Sequence, residues 1–554
     1  MRQRSDAIRR AAATAYDVCV IGGGATGAGC ALDAQARGLK TLLLDAGDFG
    51  GFTSTASTKL IHGGLRYLEQ AILELDFGQF PVLWRALRER RLMMNNAPHL
   101  TRQRQFAVPC YNLFDAVYYG IGLKIYDWLS GRASLSRSYF VPRAESGKNM
   151  PWLQSRGLVG MVMYADGQFD DARYNLSLVQ GCAEQGGEVL NYARVQAFGT
   201  DRNGRLIAAR VEDRESHESF SVTARVFVNA TGPFSDEVRR MAVPHAQPRL
   251  SVSKGVHILL PLPEGFGDGA LMIPKTEDGR VIFSIPWQDR LLVGTTETQA
   301  GIDTEMIVTA AEAEYLLRHL NPYLTKPFQL SDIVSAIAGL RPLIRSNNSR
   351  DTSKLIRDYE IETLAPSGLI SALGGKWTVY RAMAEDAINA AERSLTGHVT
   401  ACPTRKHPIS GYGGNLAKVS GDLLGNKLIT AETARHLIEK FGVHASCVIT
   451  LGLQNNSLFA PLVPGAAAIR AEVVYCIRAE MAVSIDDILN RRLGLQSFDM
   501  RLAREAAPVV ADILAVELSW KPSRVEKETR RYTDRLLRLQ TELSGISARE
   551  KTTQ

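Results

Sequence analysis

The sequence predicts an α/β fold in which an antiparallel β region is inserted among the segments of a parallel-sheet domain, with an all-α domain following. Three observations carry that expectation. The apolar run Val18-Cys19-Val20-Ile21 leads into Gly22-Gly23-Gly24-Ala25-Thr26-Gly27 and then a small-residue stretch to Ala36, which reads as strand, tight turn, helix. Between Leu250 and Thr296 the pattern is β-rich, with His257-Ile258-Leu259-Leu260, Val281-Ile282-Phe283-Ser284-Ile285 and Leu291-Leu292-Val293-Gly294, as expected of antiparallel sheet. From about Cys402 onward the composition turns helical and the phosphate-type glycine turns stop.

The first turn has a physical logic. Gly22 permits the turn, Gly24 lets backbone approach a diphosphate, Gly27 lets the helix pack on the strand, and the helix N-terminus faces negative charge. The next apolar run, Thr41-Leu42-Leu43-Leu44, ends in Asp45, where a carboxylate accepts hydrogen bonds from ribose hydroxyls and repels a 2′-phosphate. This is a Rossmann-like dinucleotide site, equally compatible with FAD and NAD. The loop from Thr53 through Ser54, Ser57, Thr58, Lys59, His62, Gly63 and Gly64 to Tyr67 gathers hydroxyls, glycines and ionisable groups, which suits a ring system and phosphates or, alternatively, a polar helix cap. Leu83 to Met94 has helical spacing. Leu113 to Leu129, flanked by Arg132, is apolar nearly all round, as in a buried helix; the alternative is an interfacial helix with Tyr and Trp at headgroup depth.

Further along, strand Val226-Phe227-Val228-Asn229 runs into Ala230-Thr231-Gly232-Pro233, marking a second crossing beside the ligand. Leu369 to Leu373 ends in Gly374-Gly375-Lys376-Trp377-Thr378 and opens a long helix, offering another helix N-terminus to an electron-rich ligand atom. Ser484 to Asp487 resembles a capping box, and Arg524 to Leu543 reads as a charged, Leu-spaced helix. The domains expected are a disordered extension over 1–15, a cofactor domain from 16–82 with 160–240 and 333–396, a substrate domain from 83–159 with 241–332, and a separate helical domain over 400–540.

Composition narrows the function classes. The chain has 554 residues, with Lys+Arg 65 against Asp+Glu 58 for a net charge of +7, an excess that suits anionic small substrates or an anionic membrane surface. No basic stripe interleaved with aromatics points to nucleic acid. Seven scattered cysteines without a C-x-x-C pair argue against a disulfide framework or a zinc site and favour a reducing, cytoplasmic compartment, and no metal is expected. No apolar run reaches the roughly 18 residues of a spanning helix.

Five segments in one order resemble the FAD-dependent glycerol-3-phosphate dehydrogenase family, within the glycine-oxidase-like flavoproteins. They are Ser57 to Glu69, Asp166-Gly167 through Arg173, Asn229 to Pro233, Ala338 to Leu343, and Gly374-Gly375-Lys376 through Arg381. The resemblance implies FAD, a substrate domain on antiparallel sheet, and electron transfer to a quinone acceptor at a membrane surface. It implies a protein held peripherally at the inner face of the cytoplasmic membrane. Glycerol 3-phosphate is the implied substrate, oxidised at C2 to dihydroxyacetone phosphate with hydride passing to flavin N5, and a homodimer is the expected assembly.

The same resemblance places Arg66, Arg341 and Arg357 around the substrate and Lys376 and His257 near the flavin and the reacting carbon. Arginine supplies the planar, permanently charged donors that a phosphate dianion needs. His257 is the expected base, with His62 as competitor, and Lys376 would stabilise negative charge on reduced flavin. Catalysis is thus expected of His257, Lys376 and Arg341. Cofactor contacts are expected of Gly22, Gly24, Gly27, Asp45, Thr53, Ser54, Ser57, His62, Gly63, Thr231, Gly232, Gly375, Lys376 and Thr378. The alternatives are an oxygen-using oxidase, a dehydrogenase of another polyol phosphate such as a tetritol phosphate, and a non-catalytic flavin-binding protein.

Overall fold

The computed structural model describes residues 4–64, 78–345 and 358–545. Arg66 and Arg357, both expected at the substrate, lie outside the described residues. Helix α1 spans Arg4–Ala13, β1 Ala15–Ile21, α2 Ala25–Ala36, β2 Thr41–Leu44, β3 Leu60–Ile61, α3 Gln79–Asn96, β4 Thr101–Cys110, α4 Leu113–Ser130, β5 Tyr139–Pro142 and β6 Gly160–Phe169. There follow α5 (Asp171–Glu184), β7 (Glu188–Leu190), β8 (Ala193–Thr200), β9 (Leu206–Asp213), β10 (Ser219–Asn229), β11 (Leu250–Pro261), β12 (Ala270–Ile273), β13 (Ile282–Trp287), β14 (Arg290–Gly294) and β15 (Thr298–Ala300). The last strands are β16 (Ser335–Ile344), β17 (Tyr359–Leu364) and β18 (Leu369–Gly374), the last leading into α6 (Tyr380–Thr396).

Among the described residues, the first sheet runs β17-β18-β10-β1-β2-β7, with β9 added on β10 and β8 on β9. β1 is parallel to both β2 and β10, and its last four residues are all buried, as in a strand covered on both faces. Helices α2, α5 and α6 cover one face through Ala28, Leu32, Leu178 and Ile388. The packing of α6 on α2 is tight because Gly29 has no side chain: a Cβ there would stand 2.9 Å from the Tyr380 ring.

The second sheet runs β15-β11-β14-β13-β12-β4-β6-β3, with β16 on β11 and β5 on β6. The β11–β16 pairing is antiparallel from Leu250 opposite Ile344 to Leu259 opposite Ser335. Side chains alternate along β11, and Val256, Ile258 and Leu260 enter a core shared with the C-terminal helices, where they meet residues such as Phe441, Val448, Val473 and Ala503. Ser253, Gly255 and His257 therefore lie on the other face.

Four expectations are corrected. The described part of the expected disordered extension over 1–15, residues 4–15, is ordered: α1 buries Ala7 and Ala11, Arg4 donates to the Asp213 carboxylate at 2.6 Å, and Arg10 pairs with Glu188 at 2.8 Å. The sheets also divide the chain differently from the expected domains, because β3, β6 and β16 belong to the second sheet. Strand partnership is set by contacts distant in sequence, and the local pattern of residues 160–169 or 335–344 does not encode it. The helical domain is not separate, since its core is continuous with the back of the second sheet. Finally, Leu113 to Leu129 is not a buried helix. α4 buries Leu123, Tyr126 and Ser130 but exposes Phe114, Val117, Ile121 and Trp128, the last at 79%.

Candidate active site

The loop between β2 and β3 and the residues just after it organise the site, because they touch every element that carries a candidate residue. The cradle at the end of β1 comes first. Gly22 has φ +100°, and a Cβ there would stand 2.6 Å from the Ala230 carbonyl oxygen; a Cβ at Gly27 would stand 1.7 Å from the Gly22 carbonyl oxygen. Only glycine allows that approach of helix to strand. Gly24, the N-cap of α2, offers no capping side chain, and the Ser54 hydroxyl instead accepts from the Ala25 N–H at 2.9 Å. Asp45 accepts from Gly23 N–H at 2.6 Å and from Gly47 N–H at 2.8 Å. Burial nevertheless pushes its carboxyl up to about 6, with the two amides working against that rise.

The other turns converge on the same crevice. Thr231 donates to the Asn229 side chain at 2.7 Å, and Gly232 adopts φ +55° with open space where a Cβ would be. Gly374 and Gly375 have φ +70° and +81°, a conformation that brings Lys376 back toward the loop. The Lys376 ammonium donates to the Gly63 carbonyl at 3.3 Å, and buried Thr378 accepts from the His62 N–H at 3.3 Å. The His62 ring tilts against Phe283, with centroids 6.1 Å apart. Ser57 is engaged by the protein itself: its hydroxyl donates to Asp171 at 2.7 Å, and Lys59 pairs with the same carboxylate.

The face of the second sheet turned to this loop carries the remaining residues. Thr53 donates to the Leu340 carbonyl at 2.5 Å, and a Cβ at Gly339 would stand 2.6 Å from Ala56 Cβ, so the loop lies directly on β16. Arg341 donates to the Thr296 carbonyl at 3.0 Å and to the Thr295 hydroxyl at 2.7 Å. Its guanidinium lies over Gly255, where a Cβ would come within 2.3 Å of it. Two residues along β11, His257 is 1% exposed, packs on Gly294, and exchanges a 2.9 Å hydrogen bond between Nε2 and the Thr58 hydroxyl. Its Nδ1 has no partner among the described residues. Burial, then the charges of Arg341 and Lys59, push its pKa down to about 3, so the imidazole is neutral.

The structure thus brings together Gly22, Gly24, Gly27, Asp45, Ser54 and Thr231 at one end of the crevice, and His62, Gly63, Gly375, Lys376 and Thr378 at the other, with His257 and Arg341 on the facing sheet. Residues outside the expected set also build it. Thr58 holds His257, and its hydroxyl stood in plain view in the loop. Asn175 donates to the Gly23 carbonyl at 2.9 Å and Trp377 donates to the Ser54 carbonyl at 2.7 Å. Neither had a sequence signal, because each partner is more than a hundred residues away.

Fold and site together define a class, the FAD-dependent oxidoreductases. Residues 17–381 match the FAD dependent oxidoreductase family, and residues 402–525 match the C-terminal domain of alpha-glycerophosphate oxidase. The chain is 38% identical over 95% of its length to a mitochondrial glycerol-3-phosphate dehydrogenase of Arabidopsis thaliana, covering 86% of that protein. It is 37% identical over 93% of its length to the mitochondrial glycerol-3-phosphate dehydrogenase of Bos taurus, covering 72% of it. The glycerol-3-phosphate dehydrogenase from Bacillus halodurans complexed with FAD superposes with a TM-score of 0.78 at 27% identity, covering 98% of this chain and 97% of that one. L-alpha-glycerophosphate oxidase from Mycoplasma pneumoniae with FAD bound shares the fold, with a TM-score of 0.55 at 16% identity over 70% of this chain and 97% of that one. The chain belongs to the FAD-dependent glycerol-3-phosphate dehydrogenase family. The cofactor is FAD, and the cradle fits it: a helix N-terminus whose N-cap is a glycine, glycines that clear the backbone, and a carboxylate past the second strand.

Proposed function

We propose that the protein oxidises the secondary alcohol of sn-glycerol 3-phosphate to dihydroxyacetone phosphate and passes the electrons to a membrane quinone. The observation that carries the reading is the placement of the Arg341 guanidinium over Gly255, two residues along β11 from the neutral His257 imidazole and on the same sheet face, against the loop that also bonds Lys376. Bound FAD supplies the two-electron acceptor. Gly22, Gly24, Asp45, Ser54, Thr231 and Gly232 would hold its diphosphate and adenosine end, and Gly375, Lys376 and Thr378 the flavin end.

The chain's own residues do the rest. Arg341, fixed by Thr295 and Thr296, presents a planar cation to the phosphate dianion. Arg66 and Arg357 are proposed to complete that clamp. His257 accepts the proton of the C2 hydroxyl as the carbon is oxidised, and Thr58 fixes its ring. Lys376 places a positive charge where the reduced cofactor gains negative charge.

For the acceptor, the exposed side of α4 supports a membrane-facing position. An open groove of about 510 Å³ between α4 and β5 is lined by Val117, Ile121, Trp128, Tyr139 and Phe140. Exposed Arg132, Arg143 and Lys148 follow these elements in the chain, a pairing of aromatics and cations suited to an anionic lipid surface. No helix among the described residues is long and apolar enough to cross a membrane. The groove is proposed to receive the quinone ring from the bilayer.

The test is anaerobic reduction of the bound flavin. Glycerol 3-phosphate should bleach its visible absorbance, and Arg341→Ala should raise KM for this substrate at least a hundredfold, consistent with loss of about 3 kcal/mol from a charge-assisted pair, while FAD content stays unchanged. Unbleached flavin, or bleaching only by a larger polyol phosphate, would refute the assignment.

A further inference from the structure

Beneath the His62-Gly63 segment lies a buried polar group that the reading above does not use. Tyr126 of α4, Asp166 of β6 and Arg90 of α3 are 2%, 3% and 0% exposed. Arg90 donates to Asp166 at 2.5 Å and to the Ala133 carbonyl at 3.0 Å. Tyr126 donates its hydroxyl hydrogen to Asp166 at 3.1 Å, which turns the oxygen lone pairs toward Gly63, whose N–H donates to them at 3.0 Å. The approach is close: a Cβ at Gly63 would stand 2.8 Å from the Tyr126 oxygen and 2.7 Å from Leu87. On its other side the same glycine accepts from Lys376 at 3.3 Å. Gly63 is thus gripped at both its N–H and its carbonyl, and three elements distant in sequence supply the grip.

We propose that Tyr126 is a positioning residue: its hydroxyl, oriented by the Arg90–Asp166 pair, fixes the backbone of Gly63 and, through the Gly63 carbonyl, the Lys376 ammonium beside the flavin. The inference rests on the functional reading above for the role of Lys376. A hydroxyl is needed because the group must donate to a carboxylate and accept from an amide at once, which phenylalanine cannot do.

Tyr126→Phe in the FAD-loaded enzyme keeps the ring and removes only the hydroxyl. It should retain FAD and change KM for glycerol 3-phosphate less than threefold. It should slow anaerobic flavin reduction roughly tenfold, the size of one buried hydrogen bond, and shift the visible absorbance maximum of the bound flavin. Adding Tyr126→Phe to Lys376→Met should produce no further spectral shift, since the effect runs through the ammonium. Leu123→Ala, on the same buried face of α4, should lower thermal stability and leave the spectrum unmoved. A wild-type spectrum and rate in Tyr126→Phe, an additive shift in the double variant, or the same shift in Leu123→Ala would each overturn the proposal. The spectrum is read without substrate, so failure of glycerol 3-phosphate to bleach the wild type would be seen as a separate result.

Discussion

At the scale of single residues, the unusual group is His257, a histidine kept neutral by burial and by the cations Arg341 and Lys59. Its folded pKa, about 3, lies below the value near 6.5 of an unfolded chain. The neutral form therefore prevails in the native state throughout the physiological range, and protonation sets in only as pH falls toward the lower value. In the proposed mechanism, bound substrate would bring a dianion against Arg341, offsetting part of the field that depresses the imidazole and making it a better proton acceptor at the moment it is needed. Flavin reduction followed in single turnover at saturating glycerol 3-phosphate should then vary less than about twofold between pH 8 and 5, with no limb near the ordinary histidine value. His257→Gln should slow the same step by about a hundredfold or more with FAD retained. An acid limb near 6.5 that vanishes in His257→Gln would show instead an ordinary, solvated histidine.

At the scale of elements, what was legible in the sequence was what a few neighbouring residues determine by themselves. Gly22, Gly24 and Gly27 announce the cradle because turn, backbone approach and helix packing all fall within six positions, and Asp45 follows one strand later. Gly255, Gly294 and Gly339 also make room for close neighbours, yet are silent: the atoms a Cβ would strike belong to Arg341, His257 and Ala56, which are far away in the chain. The same reason hid the membership of β6 and β16 in the second sheet. Helix α4 shows a different limit. Its apolar residues surround the axis, so periodicity could not say which face is covered; packing decided it, burying Leu123 and Tyr126 and leaving Phe114, Val117, Ile121 and Trp128 outside. If that face meets lipid, the protein should sediment with anionic vesicles and Trp128 emission should shift to the blue. Val117→Ser with Ile121→Ser should weaken binding about tenfold or more, each losing apolar burial worth roughly 1.5 kcal/mol, without altering flavin reduction. Full recovery in the supernatant with the unaltered protein at low salt would remove the membrane reading.

At the scale of the whole molecule, the C-terminal helices hold the cofactor domain by buried charge. Arg492, fully buried, donates to Asp48 at 2.8 Å and to the Glu480 carbonyl at 2.8 Å. Arg491 bonds Asp48 at 2.5 Å and Asp487 at 2.6 Å, and Arg173 of α5 forms a two-pronged pair with Glu480 at 2.8 and 2.7 Å. Burial alone would raise the carboxyls of Asp48 and Glu480, but the adjacent arginines pull both below their ordinary values. With folded values below unfolded ones, this stabilisation is complete above about pH 5 and is lost as pH falls through the carboxylate range. Asp48 stands three residues beyond Asp45 in the loop whose Gly47 N–H donates to the Asp45 carboxylate, so the grip on Asp48 also fixes the residue proposed to hold the cofactor's adenosine end. Arg492→Met leaves a buried carboxylate short of one partner and should cost about 3 kcal/mol, lowering the melting temperature by several degrees. Release of FAD, followed by its fluorescence, should advance with the loss of helical signal. Pairing Arg492→Met with Asp48→Asn removes the stranded charge and should recover part of the loss, because the penalty comes from an unpaired ion and not from absent packing. Were the double variant no more stable than Arg492→Met alone, the cost would lie in lost contacts of the Arg492 stem, and the two halves of the molecule would be joined by shape and not by charge.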